Sequence, residues 1–335
     1  TCFEMRNIKS LLITGGTGSF GKTYTNYILE KVPSVRRLVI FSRDELKQHE
    51  MMQSINPRYL SRLRFFLGDI RDKSRVKVAL ENVEAVVHAA ALKQVPSAER
   101  NPFEVIKTNI IGAQNLIEGC IENDVKKVVA LSTDKAAGPI NLYGATKLCS
   151  DKLFTSARSY IGKRNIKFAV VRYGNVMGSR GSVLPIFMKL KDKDSFPITH
   201  KSMTRFNISL SESVKFVEWV FDNMLGSEIF VPKIKSFKVT DLAKAIKNNC
   251  KFKMIGIRPG EKLHEEMITK SDSINTVEFS KYYAILSPFG KYQIQQYCKL
   301  AKIKKVKEGF SYSSDNNGKF LTIPELKKII NKTIY

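Results

Sequence analysis

Residues 8–21 read Ile8-Lys9-Ser10-Leu11-Leu12-Ile13-Thr14-Gly15-Gly16-Thr17-Gly18-Ser19-Phe20-Gly21. A short apolar run of this kind suits a strand buried on both faces. Glycines follow at 15, 18 and 21, and then a segment through Tyr27, Ile28 and Leu29 with helical character. Glycines between a strand and a helix permit a tight turn and let the backbone approach a pyrophosphate, whose charge the helix N-terminus meets. The stretch therefore predicts a dinucleotide site, with Gly15, Thr17, Gly18, Ser19, Phe20 and Gly21 around the phosphates.

The next apolar run, Leu38-Val39-Ile40-Phe41, ends in Ser42-Arg43-Asp44. A site for NAD usually has a carboxylate about 20 residues beyond the glycines, on the ribose 2′-hydroxyl. Here Ser42 and Arg43 fall at that point. A hydroxyl and a guanidinium suit a 2′-phosphate, which predicts NADP over NAD; in the alternative, Asp44 holds a free ribose and Arg43 is a solvated charge. Further strands are expected at 63–66, running into Gly68-Asp69-Ile70, at 85–91 with Ala89-Ala90-Ala91 at its end, at 127–131 and at 168–172. Helices are expected around 74–81, 103–121 and 144–161. Alternation of this kind predicts an α/β fold of the Rossmann type, a doubly wound parallel sheet with ligands at the carboxyl ends of its strands.

The strand at 127–131 leads into Ser132-Thr133-Asp134-Lys135, and Tyr143 and Lys147 follow in Asn141-Leu142-Tyr143-Gly144-Ala145-Thr146-Lys147. The i, i+4 spacing puts phenol and ammonium on one helix face. There the ammonium is expected to lower the phenol's pKa from its usual value near ~10, so that Tyr143 can accept a proton. That chemistry suits oxidation of a sugar hydroxyl by a nicotinamide. Asp134 and Lys135 add a carboxyl and an amine at adjacent positions, fit for acid and base work or, more plainly, for a salt bridge at a strand end.

The whole chain sets looser bounds. Its 335 residues and 38.0 kDa hold one large or two unequal domains. The five cysteines (2, 120, 149, 250 and 298) are scattered without metal spacing, as expected for free thiols in the cytoplasm. The four histidines are equally dispersed, and no metal is expected. No apolar run is long enough to span a bilayer, and the start shows no signal-peptide pattern. The formal net charge of +25 would suit nucleic acid, an anionic surface or dianionic substrates. Its lysines are spread along the chain, densest at 302–307, without aromatic interleaving or a nucleic-acid motif, so no nucleic-acid partner is expected.

Taken in order, Thr-Gly-Gly-Thr-Gly-Ser-Phe-Gly, Phe-Ser-Arg-Asp-Glu, Gly-Asp-Ile-Arg-Asp, His-Ala-Ala-Ala-Leu-Lys-Gln-Val-Pro, Ser-Thr-Asp-Lys-Ala and Asn-Leu-Tyr-Gly-Ala-Thr-Lys resemble an extended short-chain dehydrogenase/reductase. The later Val-Arg-Tyr-Gly-Asn-Val, Gly-Ser-Arg-Gly-Ser-Val, Met-Thr-Arg-Phe and Ile-Arg-Pro-Gly-Glu-Lys-Leu-His-Glu narrow the resemblance to the C5-inverting UDP-N-acetylglucosamine 4,6-dehydratases of pseudaminic-acid synthesis.

The resemblance implies a cofactor domain over 1–174, receiving segments from 207–232, and a smaller, mainly UDP-sugar-binding domain over 175–335. It implies that Asp69, Ile70, Ala89, Ala90, Ala91, Lys93 and Asn109 join the cofactor site. Lys93, Tyr173, Asn175, Arg180, Ser182, Val183, Thr204, Arg205, Arg258 and Glu261 are implied for the substrate, while His264 and Glu265 are expected to be structural. The implied cycle is oxidation at C4 with Tyr143, Lys147 and Thr133, loss of water across C5 and C6, and reduction at C6. Lys135 is implied as the C5 base and Asp134 as the O6 acid. A homo-oligomer, a dimer or larger up to a hexamer, is implied as well. Gln94, Gly138 and Asn207 depart from the family pattern, the last leaving fine sugar preference open. A UDP-sugar 4-epimerase, or a non-catalytic NADP-binding protein, stands as the alternative.

Overall fold

The structure is a computed structural model that describes residues 7–178, 182–193 and 195–334. The first strand, β1 (Ser10–Thr14), is buried along its whole length. Leu11 and Ile13 pack into the core on one side of the sheet, and Leu12 into the core on the other. β2 (Arg37–Ser42) and β4 (Ala85–His88) alternate in the same way, with Leu38, Ile40, Ala85 and Val87 on the first side and Val39, Phe41 and Val86 on the second. Period-2 side chains between two apolar layers make continuous hydrophobic runs rather than alternating ones. Each fully buried Leu or Ile contributes roughly 1.5–3 kcal/mol.

With β3 (Leu63–Leu67), β5 (Lys127–Thr133) and β6 (Lys167–Tyr173), these strands form a parallel block in the order β3-β2-β1-β4-β5-β6. The order reverses between β1 and β4, and a doubly wound sheet opens its ligand crevice at such a point. Beyond β6 the sheet continues with the strand Glu228–Pro232, parallel to it, and then with Tyr282–Leu286, Thr276–Glu278 and Lys304–Lys305, making ten strands in all. Helices Ser19–Lys31 and Leu210–Asn223 cover one face, while Lys73–Ala79, Gly112–Glu122 and Leu142–Ser156 cover the other. The helix expected at 103–121 is interrupted: Pro102–Ile106 and Gly112–Glu122 are joined by a widened π turn at Lys107–Ile111.

The remaining elements form a smaller lobe at the carboxyl end of the sheet. It contains a three-stranded sheet of Ser236–Lys238, Thr204–Ile208 and Asn175–Val176, and two strand pairs, Lys251–Met254 with Ser195–Ile198 and Glu266–Ile268 with Tyr312–Ser313. A separate apolar cluster of Leu184, Phe187, Phe196, Phe237, Leu242 and Leu326 holds this lobe together. Among the described residues no helix is long and apolar enough to cross a membrane.

Candidate active site

A cleft of about 940 Å³ runs from the glycine turn, past the ends of β4 and β5, to the smaller lobe. Gly15 opens it with φ +64°, and a Cβ placed there would come within 2.8 Å of the Ala90 nitrogen. A Cβ on Gly21 would collide with the Gly16 carbonyl oxygen, so the helix can abut the turn only because position 21 is bare. That helix begins at Ser19 after Gly18, with no side-chain cap and no acidic residue in its first turn. Its N-terminal N–H groups thus face no competing protein anion, and the turn fits a dinucleotide pyrophosphate. Thr17, Phe20, Ile70 and Ala89 to Ala91 also line the cleft.

At the far end of this half, Ser42, Arg43, Asp44 and Lys47 line the wall. Ser42 is buried, its hydroxyl accepting from Gln48 Nε2 at 3.0 Å. Asp44 caps the helix Glu45–Ser54 through the Lys47 backbone N–H and pairs with the Lys47 ammonium at 2.7 Å. Asp69 stands just behind the cleft lining, held by Arg71 at 2.7 Å and by Arg43 at 3.7 Å. Asn109, inside the π turn, is likewise buried behind the wall. It clamps the Leu92 backbone, accepting from its N–H and donating to its C=O, both at 2.9 Å. Both residues support the cofactor half and do not line its open space.

Chemistry concentrates where β5 ends. Tyr143 and Lys147 project from the helix Leu142–Ser156, whose cap is Asn141 accepting from the Gly144 N–H at 2.7 Å. A Cβ on Gly144 would strike the Lys135 carbonyl oxygen, so this helix seats directly on the Asp134–Lys135 turn. Thr133 donates to Asp134 Oδ1 at 3.0 Å and lines the cleft with Tyr143. Burial pushes the Tyr143 phenol up to about 12, and the cation opposing this most strongly is Lys135, not Lys147. The expectation that Lys147 tunes the phenol is therefore corrected. Lys147 turns its ammonium to the Leu131 carbonyl at 2.7 Å, because a buried ammonium needs an acceptor and the strand end offers one. Burial lowers the Lys147 pKa, opposed by Asp151, which accepts from Ser132 at 2.9 Å and pairs with Arg172 at 3.0 Å.

Lys135 Nζ lies 3.0 Å from Asp134 Oδ1 and 3.1 Å from Glu265 Oε1. Burial would lower this amine, yet Asp134 and then Glu265 hold it well above the ordinary lysine range. Burial raises the Asp134 carboxyl. Lys93, on the same wall, is lowered by burial and by the charge of Lys135. Asp134 is fully buried and reaches the site only through Lys135 and Thr133. Glu265, expected to be structural, lines the cleft itself. The signal that could have found it is the need of a half-covered lysine for a second counter-charge.

From Glu265 the charges alternate toward the smaller lobe. Arg205 Nε is 3.9 Å from Glu265, Arg205 Nη2 is 3.3 Å from Glu261, and Glu261 holds Arg258 at 3.1 Å. Arg205 is nearly buried and also donates to the carbonyls of Thr204, Leu263 and Lys262. It braces the loop 261–263 more than it offers free donors. Arg258 is the exposed member of the series, 65% accessible and in the cleft. Tyr173, Asn175, Ser182, Val183 and Glu261 line the substrate end with Met203 of the Met-Thr-Arg-Phe motif, together with Thr199 and Val239, which the sequence did not mark. Thr204 sits beneath, bonded to His264 and Ser314 at 2.7 Å each. Arg180 lies outside the described residues.

The fold and this cleft define an extended short-chain dehydrogenase/reductase, and residues 11–287 match the family described as polysaccharide biosynthesis protein, to which the chain belongs. Over 98% of its length it is 55% identical to a UDP-N-acetylglucosamine 4,6-dehydratase (inverting) from Campylobacter jejuni subsp. jejuni, covering 99% of that protein. It is 38% identical to a UDP-glucose 4-epimerase from Rickettsia canadensis, over 96% of this chain and 95% of that one. Among solved structures, Pen from Bacillus thuringiensis aligns over 98% of both chains with a TM-score of 0.87 and 35% identity. A dTDP-glucose 4,6-dehydratase from Streptomyces venezuelae, solved with NAD and TYD, shares the fold at 22% identity and a TM-score of 0.65 over 76% of this chain and 86% of that one.

Proposed function

We propose that the chain is a C5-inverting UDP-N-acetylglucosamine 4,6-dehydratase, a hydro-lyase that uses a nicotinamide cofactor and opens the synthesis of a pseudaminic-acid-type sugar. The observation that carries this reading is the Asp134–Lys135 pair, joined at 3.0 Å, with Lys135 on the cleft wall alongside Tyr143 and Asp134 buried behind it. Reversible hydride acceptance is the chemistry a nicotinamide supplies when bound over the Gly15 turn. Tyr143, with Lys135 as the cation that most favours its phenolate, takes the proton of the sugar O4 during oxidation. Lys147, fixed on the Leu131 carbonyl, positions the cofactor ribose. The 4-ketone acidifies the C5–H bond, so Lys135 can remove that proton while the Asp134 proton reaches the leaving O6 through the Thr133 hydroxyl bonded to it.

NADP is the preferred cofactor on this reading: Arg43 and Lys47 bring two cations to the ribose end, and Asp44 is already engaged as a helix cap. We assign the cofactor to 1–174 with returning segments from 207–232 and the UDP-sugar mainly to 175–335, although strands within 276–305 also return to the main sheet as its far edge. Arg258, Asn175 and Ser182 hold the nucleotide sugar. Asp134 pairs here with a lysine rather than with a second carboxyl, which supports inversion at C5. We place the enzyme in the cytoplasm as a homo-oligomer, supplying a glycan such as that of flagellin.

Incubation of purified protein with UDP-N-acetylglucosamine in D2O tests the reading. The expected product, by NMR, is a 6-deoxy-4-keto sugar of L-arabino configuration with deuterium at C5. The 38% identity to a UDP-glucose 4-epimerase favours a second reading, in which C4 is reduced again after the ketone turns over. A gluco/galacto mixture without loss of water would establish that alternative and overturn the dehydratase.

A further inference from the structure

Asp134 and Lys135 account for the elimination step and leave a third ionised group beside them without a task. Glu265 is 2% exposed, lines the cleft, and places Oε1 3.1 Å from Lys135 Nζ. Its Oε2 has no hydrogen-bond partner, and neither has Asp134 Oδ2. One ammonium thus serves two buried carboxylates, each keeping an uncommitted oxygen. A pair evolved only to hold the fold would satisfy those oxygens, since an unpaired buried acceptor is costly.

We propose that Glu265 is a positioning residue for the elimination: it fixes the Lys135 amine at the cleft wall and supplies the fixed negative charge against which that amine takes up the C5 proton. This rests on the dehydratase reading. Transfer of one proton from Lys135 to Asp134 turns ammonium and carboxylate into amine and carboxylic acid. The amine then takes the C5 proton, and the C5–H electrons form the C5–C6 double bond. The C6–O bond breaks, and its oxygen leaves as water with the Asp134 proton, relayed by the Thr133 hydroxyl. Lys135 and Asp134 are left as ammonium and carboxylate, and Glu265 stays a carboxylate throughout.

The surrounding charges agree with this division. Burial works to raise the Glu265 carboxyl, but Lys135, Arg205 and Lys262 hold it below the usual range, so it keeps its charge. Lys135 is faced by Asp134, Glu265 and Arg205, and in turn acts on Tyr143 and Lys93. Glu265 adds to the proton affinity of Lys135 without competing for the proton.

Glu265→Gln keeps the shape and removes the charge. In a single turnover with UDP-N-acetylglucosamine, C4 oxidation, read as reduced nicotinamide absorbance, should stay within about threefold. Water loss should fall roughly 10- to 100-fold and reach its plateau at lower pH, with Glu265→Asp recovering part of the loss. A variant that slows oxidation and water loss by one common factor, or leaves water loss and its pH profile unchanged, overturns the proposal. A second readout is independent of the reaction. Acetylation of Lys135 by acetic anhydride, followed by peptide mass spectrometry, should be about tenfold faster in Glu265→Gln because more amine is neutral. An unchanged rate overturns the proposal. Wild-type protein that releases no water overturns the dehydratase reading instead, and the acetylation rate then decides separately whether Glu265 governs the amine.

Discussion

Asn141 joins the helix Leu142–Ser156 to the loop at Gly260: its Oδ1 accepts from the Gly144 N–H at 2.7 Å while its Nδ2 donates to the Gly260 carbonyl at 2.8 Å. One side chain thereby sets the start of the helix that carries Tyr143 and the position of the loop that carries Arg258 and Glu261. Asn141→Ala removes both bonds. Loss of the cap should cost about 1 kcal/mol of stability, seen as a lower denaturant midpoint. Loss of the tether should raise KM for the nucleotide sugar more than it lowers kcat. Asn141→Asp keeps the cap acceptor but not the donor to Gly260, so it should recover stability while leaving KM high. Equal recovery of both in Asn141→Asp would show that the tether plays no part in binding.

The ribose end of the cleft makes a separable prediction. Arg43 is half exposed and Lys47 nearly so, and both can turn from Asp69 and Asp44 toward a phosphate. Charged hydrogen bonds to a 2′-phosphate contribute roughly 1.5–3 kcal/mol. Arg43→Ala with Lys47→Ala should therefore weaken NADP about 10- to 100-fold while moving NAD by no more than about threefold. Calorimetric titration of both cofactors measures it. Equal weakening of the two, or tighter NAD binding by the unaltered protein, would count against NADP.

Behind the cleft wall, Tyr24 donates to Glu218 at 2.5 Å between the helices Ser19–Lys31 and Leu210–Asn223. Burial pushes the Glu218 carboxyl up to about 7, partly offset by the Tyr24 hydrogen bond. A carboxyl raised on folding favours the protonated form. Its contribution is complete below the unfolded value of 4.5 and is lost as pH rises through about 7. Stability should thus decline between pH 5 and 8 by an amount on the order of 1–3 kcal/mol, reduced by the partial exposure of the group. Glu218→Gln should flatten that decline. Urea midpoints at pH 5, 6, 7 and 8 measure it, and a variant that retains the wild-type slope would assign the decline to other groups.

The parallel block was legible because most of its strands are runs buried on both faces, β3 at the sheet edge being only partly covered. Leu11 to Gly21 and Lys127 to Lys135 carry that pattern in full. The sheet's antiparallel edge was not: Thr276–Glu278 and Lys304–Lys305 are too short to show any period, and only their pairing with Tyr282–Leu286 and with each other defines them. Tyr143, Lys147, Asp134 and Lys135 were legible as a group because they are close in sequence. What each does to the others was not. Whether Lys147 faces Tyr143 or the Leu131 carbonyl is a choice among rotamers, settled by which buried acceptor lies within reach. Glu265 escaped for a related reason. Its meaning comes entirely from Lys135, which it meets only when the strand Glu266–Ile268 is laid beside the end of β5.

Gly144 tests how closely the acid–base pair depends on that packing. A methyl group there would meet the Lys135 carbonyl oxygen and also come within 3.1 Å of the Pro139 ring. The obstruction is backbone on both sides, because Gly144 lies in the first turn of the helix and Lys135 in the turn beyond β5, so no side-chain rotation can relieve it. Gly144→Ala improves helix propensity by about 0.8–1 kcal/mol, which would stabilise an unobstructed helix. The collision should reverse that sign and push the Asp134–Lys135 turn away from Tyr143. Water loss should then fall about 10²-fold or more, while NADP affinity, set at the Gly15 turn and the ribose end, should change little. Dehydration rate and cofactor affinity, measured on one preparation, separate the effects. A Gly144→Ala protein that is more stable and fully active would show that the helix is not seated on the Lys135 turn.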